Sequence, residues 1–281
     1  MPELPEVEVL VRHLGPKLRG RCIQAVEVFA PRTVRPDSPE TLKSRLHQAV
    51  FGPITRRAKF LCFLLTRPSG KSLQLIGHLG MTGRMFLLPG DPPLPKHTVV
   101  AFDLGSDRLV FEDTRRFGRL TLDTSVLEGL GPEPLSEDFQ PETFRMALRG
   151  KSQPIKVALL DQSLVVGVGN IYANEALYRA GIHPRRRCHS IRQDETRALH
   201  EAVRRVLTEA IECGERLSLD FRAGTGGLFY YGMASETATD PNAECFAVYG
   251  REGEPCLKCG SPIRRLVQAQ RSTFFCQKCQ H

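Results

Sequence analysis

Four cysteines near the end of the chain constrain it more than any other feature. They read C-L-K-C at 256–259 and C-Q-K-C at 276–279, with sixteen residues between the pairs. Two CxxC knuckles at that separation converge on one tetrahedral ion, each thiolate about 2.3 Å from zinc. A pair of redox dithiols would need a thioredoxin-like βαβ setting, which the flanking sequence lacks. Cys256, Cys259, Cys276 and Cys279 are therefore expected to hold one structural Zn2+. The other five cysteines, at 22, 62, 188, 213 and 245, are scattered, which argues against a disulfide framework. Residues 249–281 carry six Lys and Arg against two Glu. A tetrathiolate zinc has a net charge of about −2 and offsets half of that surplus. The module reads less as a basic patch than as a rigid mount for one arginine, Arg271 in QAQRSTFFC.

The opposite end, MPELPEVEVL, has one proline too many. Pro5 suits the first turn of a helix, and Glu3, Glu6 and Glu8 suit the positive end of its dipole. Leu4, Val7, Val11, Leu14 and Leu18 continue the stripe at helical spacing. Pro2 has no structural task in this scheme.

Between these ends the chain changes character once. To about residue 125 it reads as short apolar or alternating runs divided by Gly, Pro, Asp and Ser: RCIQAVEVF, KFLCFLLT, KSLQLIGHL, GRMFLL, TVVAFDL, DRLVFED and RLTLD. That pattern predicts a sandwich or barrel. SPETLKSRLHQAV interrupts it as a helix capped by Ser38. The acidic, proline-rich stretch 131–141 is expected to be a linker. Helices follow at 142–150 and 154–161. NIYANEALYRAG should be capped by Asn170 and stopped by Gly181, and DETRALHEAVRRVLTEAIECG capped by Asp194 and ended by Gly214. FRAGTGGLFYYGMASETATDPNAE is too long and glycine-rich for an ordinary connection, and loops of that kind are usually functional or disordered.

The charge narrows the partner. There are 39 Lys and Arg against 31 Asp and Glu, a net +8, which fits an acidic partner such as nucleic acid. No apolar run approaches the roughly 20 residues of a membrane span, and the N-terminus does not resemble a signal peptide. The expectation is a cytoplasmic protein with no membrane partner. Three further motifs fit DNA. LVVGVGNIYANE places two glycines before a helix start, a form suited to a phosphate, although it is not a full dinucleotide fingerprint. HLGMTG at 78–83 and DTRRFG at 113–118 set Met81 and Phe117 beside glycines and arginines, as base-stack wedges are set. Taken singly, each of those two side chains reads as core rather than wedge, and Lys59 in RRAKF can be read as a solvated charge before a strand.

Taken together and in order, PELPEVE, RRAKF, HLGMTG, RRFG, LVVGVGNIYANEAL, VYGREGEPC and QRSTFFCQKCQ resemble the formamidopyrimidine-DNA glycosylases over nearly the whole chain. The resemblance implies an α+β multidomain fold. An N-terminal β-sandwich with flanking helices spans 1–130. A helix-two-turns-helix domain with a lesion-capping loop spans 142–235, and a zinc-finger hairpin 245–281, with DNA across the cleft between the domains. It implies a bacterial base-excision-repair enzyme, monomeric and nucleoid-associated when bound, that removes oxidised purines from damaged double-stranded DNA. In the family pattern Pro2, exposed as an amine once Met1 is removed, is the nucleophile, and Glu3 the acid that helps open the sugar. Lys59 is linked to β-elimination and Arg271 to δ-elimination. The implied DNA contacts are His78, Met81, His97, Arg115, Phe117, Lys151, Lys156 and Asn170. Thr114 stands where proline is frequent in the family, and 222–245 matches poorly. The sister enzyme for oxidised pyrimidines, endonuclease VIII, usually begins PEGPE and lacks RRFG. A non-catalytic damage sensor would instead retain Met1, which leaves Pro2 an unreactive tertiary amide.

Overall fold

A computed structural model describes residues 1–216 and 246–281. The glycine-rich stretch 222–245, with Cys245 and the expected lesion-capping loop, lies outside the described residues. One compact unit is built on Met1–Glu128, and a second on Gly129–Cys213 with the C-terminal module.

The first unit opens with α1 (Leu4–Leu18), whose expected stripe Leu4, Val7, Val11, Leu14 and Leu18 is buried. Strands β1 (Ala25–Val28), β6 (Thr98–Asp103), β7 (Asp107–Asp113) and β5 (Gly83–Pro89) form one antiparallel sheet in that spatial order. The second sheet is β2 (Val50–Arg57), β3 (Phe60–Thr66), β4 (Ser72–His78) and β8 (Arg119–Thr121). Both sheets and α1 supply one core that includes Phe51, Phe63, Phe102 and Phe111. The rings of Phe51 and Phe63 meet edge to face at 5.9 Å. Helix α2 (Pro39–Leu46) starts as expected, with the Ser38 hydroxyl accepting from the Thr41 N–H at 3.0 Å. Strand β2 is an addition to the strands expected from sequence. Gly52 and Pro53 break its pattern, and the register shifts between Phe51 and Ile54 where they sit.

In the second unit, α3 (Pro141–Arg149), α4 (Ile155–Leu159), α5 (Asn170–Arg179) and α6 (Gln193–Arg216) precede a hairpin of β9 (Arg264–Gln268) and β10 (Arg271–Phe275). The acidic stretch 131–141 is held along this unit. Val166 N–H donates to the Pro132 carbonyl at 3.2 Å, Arg204 donates to the Pro134 and Ser136 carbonyls, and His200 meets the Phe139 carbonyl at 2.7 Å.

Three helix boundaries differ from the sequence reading. The cap of α5 is Gly169, and Asn170 is the first helical residue, its side chain drawn away by tertiary partners. Asp194 lies inside the first turn of α6 rather than at its cap, and the helix continues past Gly214 to Arg216. Helical propensity sets such ends only to within a residue or two, and the local hydrogen bonds decide the rest. Among the described residues, no helix is long and apolar enough to cross a membrane.

Candidate functional site

In the first unit the expected chemical groups lie at the start of α1, in the β2–β3 turn, at the end of β4 and on the loops that follow β4 and β7. Pro2 and Glu3 are buried, and Glu3 is the N-cap of α1. Its side chain accepts from the N–H of Glu6, while the Glu6 carboxylate accepts the Glu3 N–H at 2.6 Å. This reciprocal capping box takes up two helix-end donors and fixes the direction in which Pro2 leaves the helix. Pro5 sits in the first turn as the sequence predicted, so the two prolines are separated by role.

Lys59 is buried in the two-residue turn of the β2–β3 hairpin, after Ala58 at φ +54°. The reading of Lys59 as a solvated charge before a strand is corrected: it does precede β3, but its side chain is buried, and Arg56 and Arg57 belong to β2. Arg56 also ties that turn to α1. Its Nε donates to Glu8 at 2.8 Å, and its terminal nitrogen donates to the Ala58 carbonyl at 3.0 Å. Burial by itself would raise the Glu8 pKa, but hydrogen bonds from Arg12 and Arg56 hold it below the ordinary carboxylate value.

His78 ends β4. Burial, with the positive fields of Lys59 and Arg119, pushes its pKa down to about 4, so the ring is neutral at physiological pH. Its Nδ1 faces the Gly80 N–H at 3.1 Å, and its ring packs on Phe60 at 4.9 Å. Gly80, at φ +66°, begins the Met81 turn, and Met81 and Phe117 are exposed apolar side chains on neighbouring loops. A Cβ on Gly80 would lie 2.5 Å from the Gly118 nitrogen, so the two loop backbones touch. The Arg115 guanidinium stacks 4.8 Å over the Phe117 ring. His97 is exposed, and its carbonyl accepts from the Asp113 N–H.

The second unit presents its own group of expected residues. Lys156, only 1% exposed, is inside rather than on a surface. Its ammonium donates to Asn170 Oδ1 at 2.7 Å, Thr273 Oγ1 at 2.6 Å and the Ser272 carbonyl at 3.0 Å. Asn170 Nδ2 donates to that same carbonyl at 3.0 Å. The first residues of α5 and the strand carrying Arg271 are thus joined. Arg271 is exposed at the turn end of β10, next to Ala269 and Gln270, both at positive φ. Lys151 pairs with Asp161 at 2.9 Å, and hydrogen bonds from Lys151 and then Ser163 push the Asp161 pKa down to about 2.

The four expected zinc ligands also converge. All four Sγ atoms lie within 4.8 Å of one another, with Cys259 and Cys276 at 3.5 Å and Cys256 and Cys279 at 3.9 Å. Tetrahedral thiolates 2.3 Å from zinc stand about 3.8 Å apart, so the donor set fits the ion. Tyr178 places its hydroxyl 3.2 Å from Cys256 Sγ, in the position of an outer hydrogen-bond partner of a ligand. Glu175 fastens the approach to the module, accepting from the N–H groups of Ala247, Val248 and Tyr249.

Sequence reasoning missed Asp113, Thr82, Gln162 and Tyr178. Gln162 donates to the Val168 carbonyl and accepts the Gly167 N–H, shaping the turn before α5. Asp113 left one local signal, an acidic residue two positions before a loop N–H, the pattern of an Asx turn. Gln162 bonds five and six residues ahead in a pattern that no regular motif marks, and the partners that Thr82 and Tyr178 find at Asp113 and Cys256 are distant in sequence and left no signal.

Three family models match the chain. Residues 1–120 match the formamidopyrimidine-DNA glycosylase N-terminal domain, 130–221 the H2TH domain of the same enzymes, and 253–281 a zinc finger found in FPG and IleRS. The formamidopyrimidine-DNA glycosylase of Laribacter hongkongensis is 42% identical over 287 residues, covering all of both chains. That of Symbiobacterium thermophilum is 41% identical over 288 residues, covering all of this chain and 89% of its own. Among solved structures, the Lactococcus lactis Fpg in complex with abasic-site DNA superposes with a TM-score of 0.85 at 34% identity, covering 99% of each chain. The same enzyme with Fapy-dG DNA gives 0.85 at 35% identity and the same coverage.

Proposed function

The chain belongs to the formamidopyrimidine-DNA glycosylase family, and on that premise we propose that it is a base-excision-repair enzyme that excises formamidopyrimidines and 8-oxoguanine and then cleaves the strand at the abasic site. The observation that carries this reading is the capping box at Glu3. It holds the residue after Pro2 rigidly, so an amine at Pro2 has a defined direction.

The chemistry follows from a chain that begins at Pro2. An α-amine titrates two to three units below a lysine, so much more of it carries an available lone pair at neutral pH. That lone pair attacks C1′, the damaged base leaves with the C1′–N bond electrons, and Glu3 supplies the proton that opens the ring at O4′. The resulting iminium acidifies the C2′ hydrogens. Loss of a C2′ proton expels the 3′ phosphate, and a second elimination expels the 5′ phosphate. Lys59 is assigned the proton transfer of the first elimination and Arg271 that of the second. Met81, Arg115 and Phe117 fill the space left by the everted base. His78, His97, Lys151 and Asn170 hold the backbone. Lys156 acts behind Asn170 and Arg271. Zinc, when bound by its four cysteines, folds the hairpin that presents Arg271 and takes part in no bond-breaking step.

The test is borohydride trapping on duplex DNA with 8-oxoguanine opposite cytosine, followed by mass spectrometry of the adduct. The expected adduct is on Pro2. An adduct on an internal lysine, or none, overturns the assignment. Faster turnover of dihydrouracil DNA would favour the pyrimidine-specific sister enzyme.

A further inference from the structure

The Met81 loop and the Phe117 loop are tied through one buried carboxyl group. Asp113, 1% exposed, accepts from the Thr82 hydroxyl at 2.5 Å and from the Arg115 N–H at 3.1 Å through Oδ1, and from the Gly118 N–H at 2.7 Å through Oδ2. Thr82 Oγ1 is itself within 3.1 Å of the Arg115 N–H. The Asp113 N–H meanwhile holds the His97 carbonyl. One residue therefore touches three stretches expected to meet DNA. None of its contacts requires DNA to be present.

Each loop is short and exposes one apolar side chain, Met81 or Phe117. Joined by the Thr82–Asp113 bond and by the backbone contact of Gly80 with Gly118, they can move as one piece. We propose that Thr82 and Asp113 are positioning residues that couple the two wedges, so that Met81 enters the base stack together with Arg115 and Phe117. This rests on the reading of both loops as wedges. The coupling concerns insertion and leaves the chemistry at Pro2 untouched. Losing it makes two loops search separately for a geometry that one piece already has.

The test uses the full zinc-loaded chain and the variants Thr82→Val, Thr82→Ser and Asp113→Asn. Wedge insertion is read by stopped-flow fluorescence of 2-aminopurine beside a tetrahydrofuran abasic analogue in duplex DNA, which needs no catalysis. Strand cleavage is read on a single-stranded abasic oligonucleotide, where no stack has to be entered. Thr82→Val is expected to slow insertion about tenfold while single-strand cleavage stays within twofold. Thr82→Ser, which keeps the hydroxyl, should insert at the wild-type rate. Asp113→Asn should slow insertion as Thr82→Val does, and it decides the matter if the valine variant does not fold. Wild-type insertion by both variants overturns the coupling, as does a parallel loss of insertion and single-strand cleavage. No insertion signal from the wild type also overturns it. A wild type that inserts but excises no 8-oxoguanine removes the proposed function and leaves the coupling standing.

Discussion

The Glu3 nitrogen lies 2.6 Å from Oε2 of Glu6, so the residue behind the proposed nucleophile is fastened by the helix it starts. Glu6 is itself buried, with a side chain aimed back at the terminus. Glu6→Ala should therefore cost about 1 kcal/mol of stability, the usual value of a lost cap. It should also lower the rate of borohydride trapping at Pro2 by more than that loss of stability accounts for. Glu6→Gln keeps a carbonyl acceptor and should fall between the two. Urea melts and trapping time courses on the same preparations check both statements. A trapping rate unchanged in Glu6→Ala would show that the cap does not orient the amine.

His78 predicts an acid sensitivity. Its folded pKa, about 4, is below the ordinary 6.5, with burial as the main cause and the Lys59 and Arg119 charges as further ones. Between those two values the unfolded chain binds a proton that the folded chain does not, so stability rises with pH across this window. The contribution is complete above about pH 6.5 and is lost as pH falls toward 4, on the order of 3 kcal/mol in all. His78→Asn places an oxygen near the Nδ1 position without a titrating ring. Its urea stability should vary less between pH 7 and pH 4.5 than that of the wild type. Equal pH slopes would refute the assignment.

The sequence was informative where chemistry is local. The CxxC pairs, the Ser38 cap, Pro5 and the α1 stripe all depend on residues within a turn or two of each other, and the structure has them as expected. It was silent where partners come from far along the chain. PIKVALL reads as an ordinary helical stretch, yet Lys156 is buried because Thr273, more than a hundred residues later, receives its ammonium. Thr82 and Asp113 are 31 residues apart, with β5, β6 and β7 between them, and nothing in HLGMTG announces the carboxyl group that holds it. Asn170 reads as a cap from local preference, but two tertiary hydrogen bonds take its side chain away from that task.

Removal of zinc should act on a part of the chain. The hairpin β9–β10 is five residues per strand, and its small core is made of Val248, Ile263, Tyr178 and the ligand cysteines themselves. Structural zinc contributes folding energy outright in modules of this size. The protein should contain one zinc per chain by elemental analysis. Chelation should abolish amide protection in β9 and β10 while β3 and β4 keep theirs in hydrogen exchange. DNA affinity should fall with it, because Arg271 loses its mount. Protection of β10 persisting in the chelated protein would refute a structural role for the ion.

Lys156 separates a phosphate contact from a residue that positions one. Each phosphate neutralised by a side chain adds about 0.9 to the slope of log affinity against log salt. The Lys156 ammonium is given to Asn170, Ser272 and Thr273 and is almost wholly buried, so it has no counterion to displace. Lys156→Met keeps the length of the chain and removes the donor. It should cost about 1–3 kcal/mol of stability, because the acceptors stay buried. DNA affinity should fall roughly tenfold as Asn170 and the Arg271 strand lose their common anchor, a change of about 1.4 kcal/mol. The salt slope should not change. Lys151→Met, by contrast, removes a part-exposed ammonium assigned to the DNA backbone and should lower the slope by about 0.9. Titrations of both variants by fluorescence anisotropy between low and moderate salt distinguish the two roles. A slope reduced by one unit in Lys156→Met would place that ammonium on the DNA and overturn its assignment as an internal anchor.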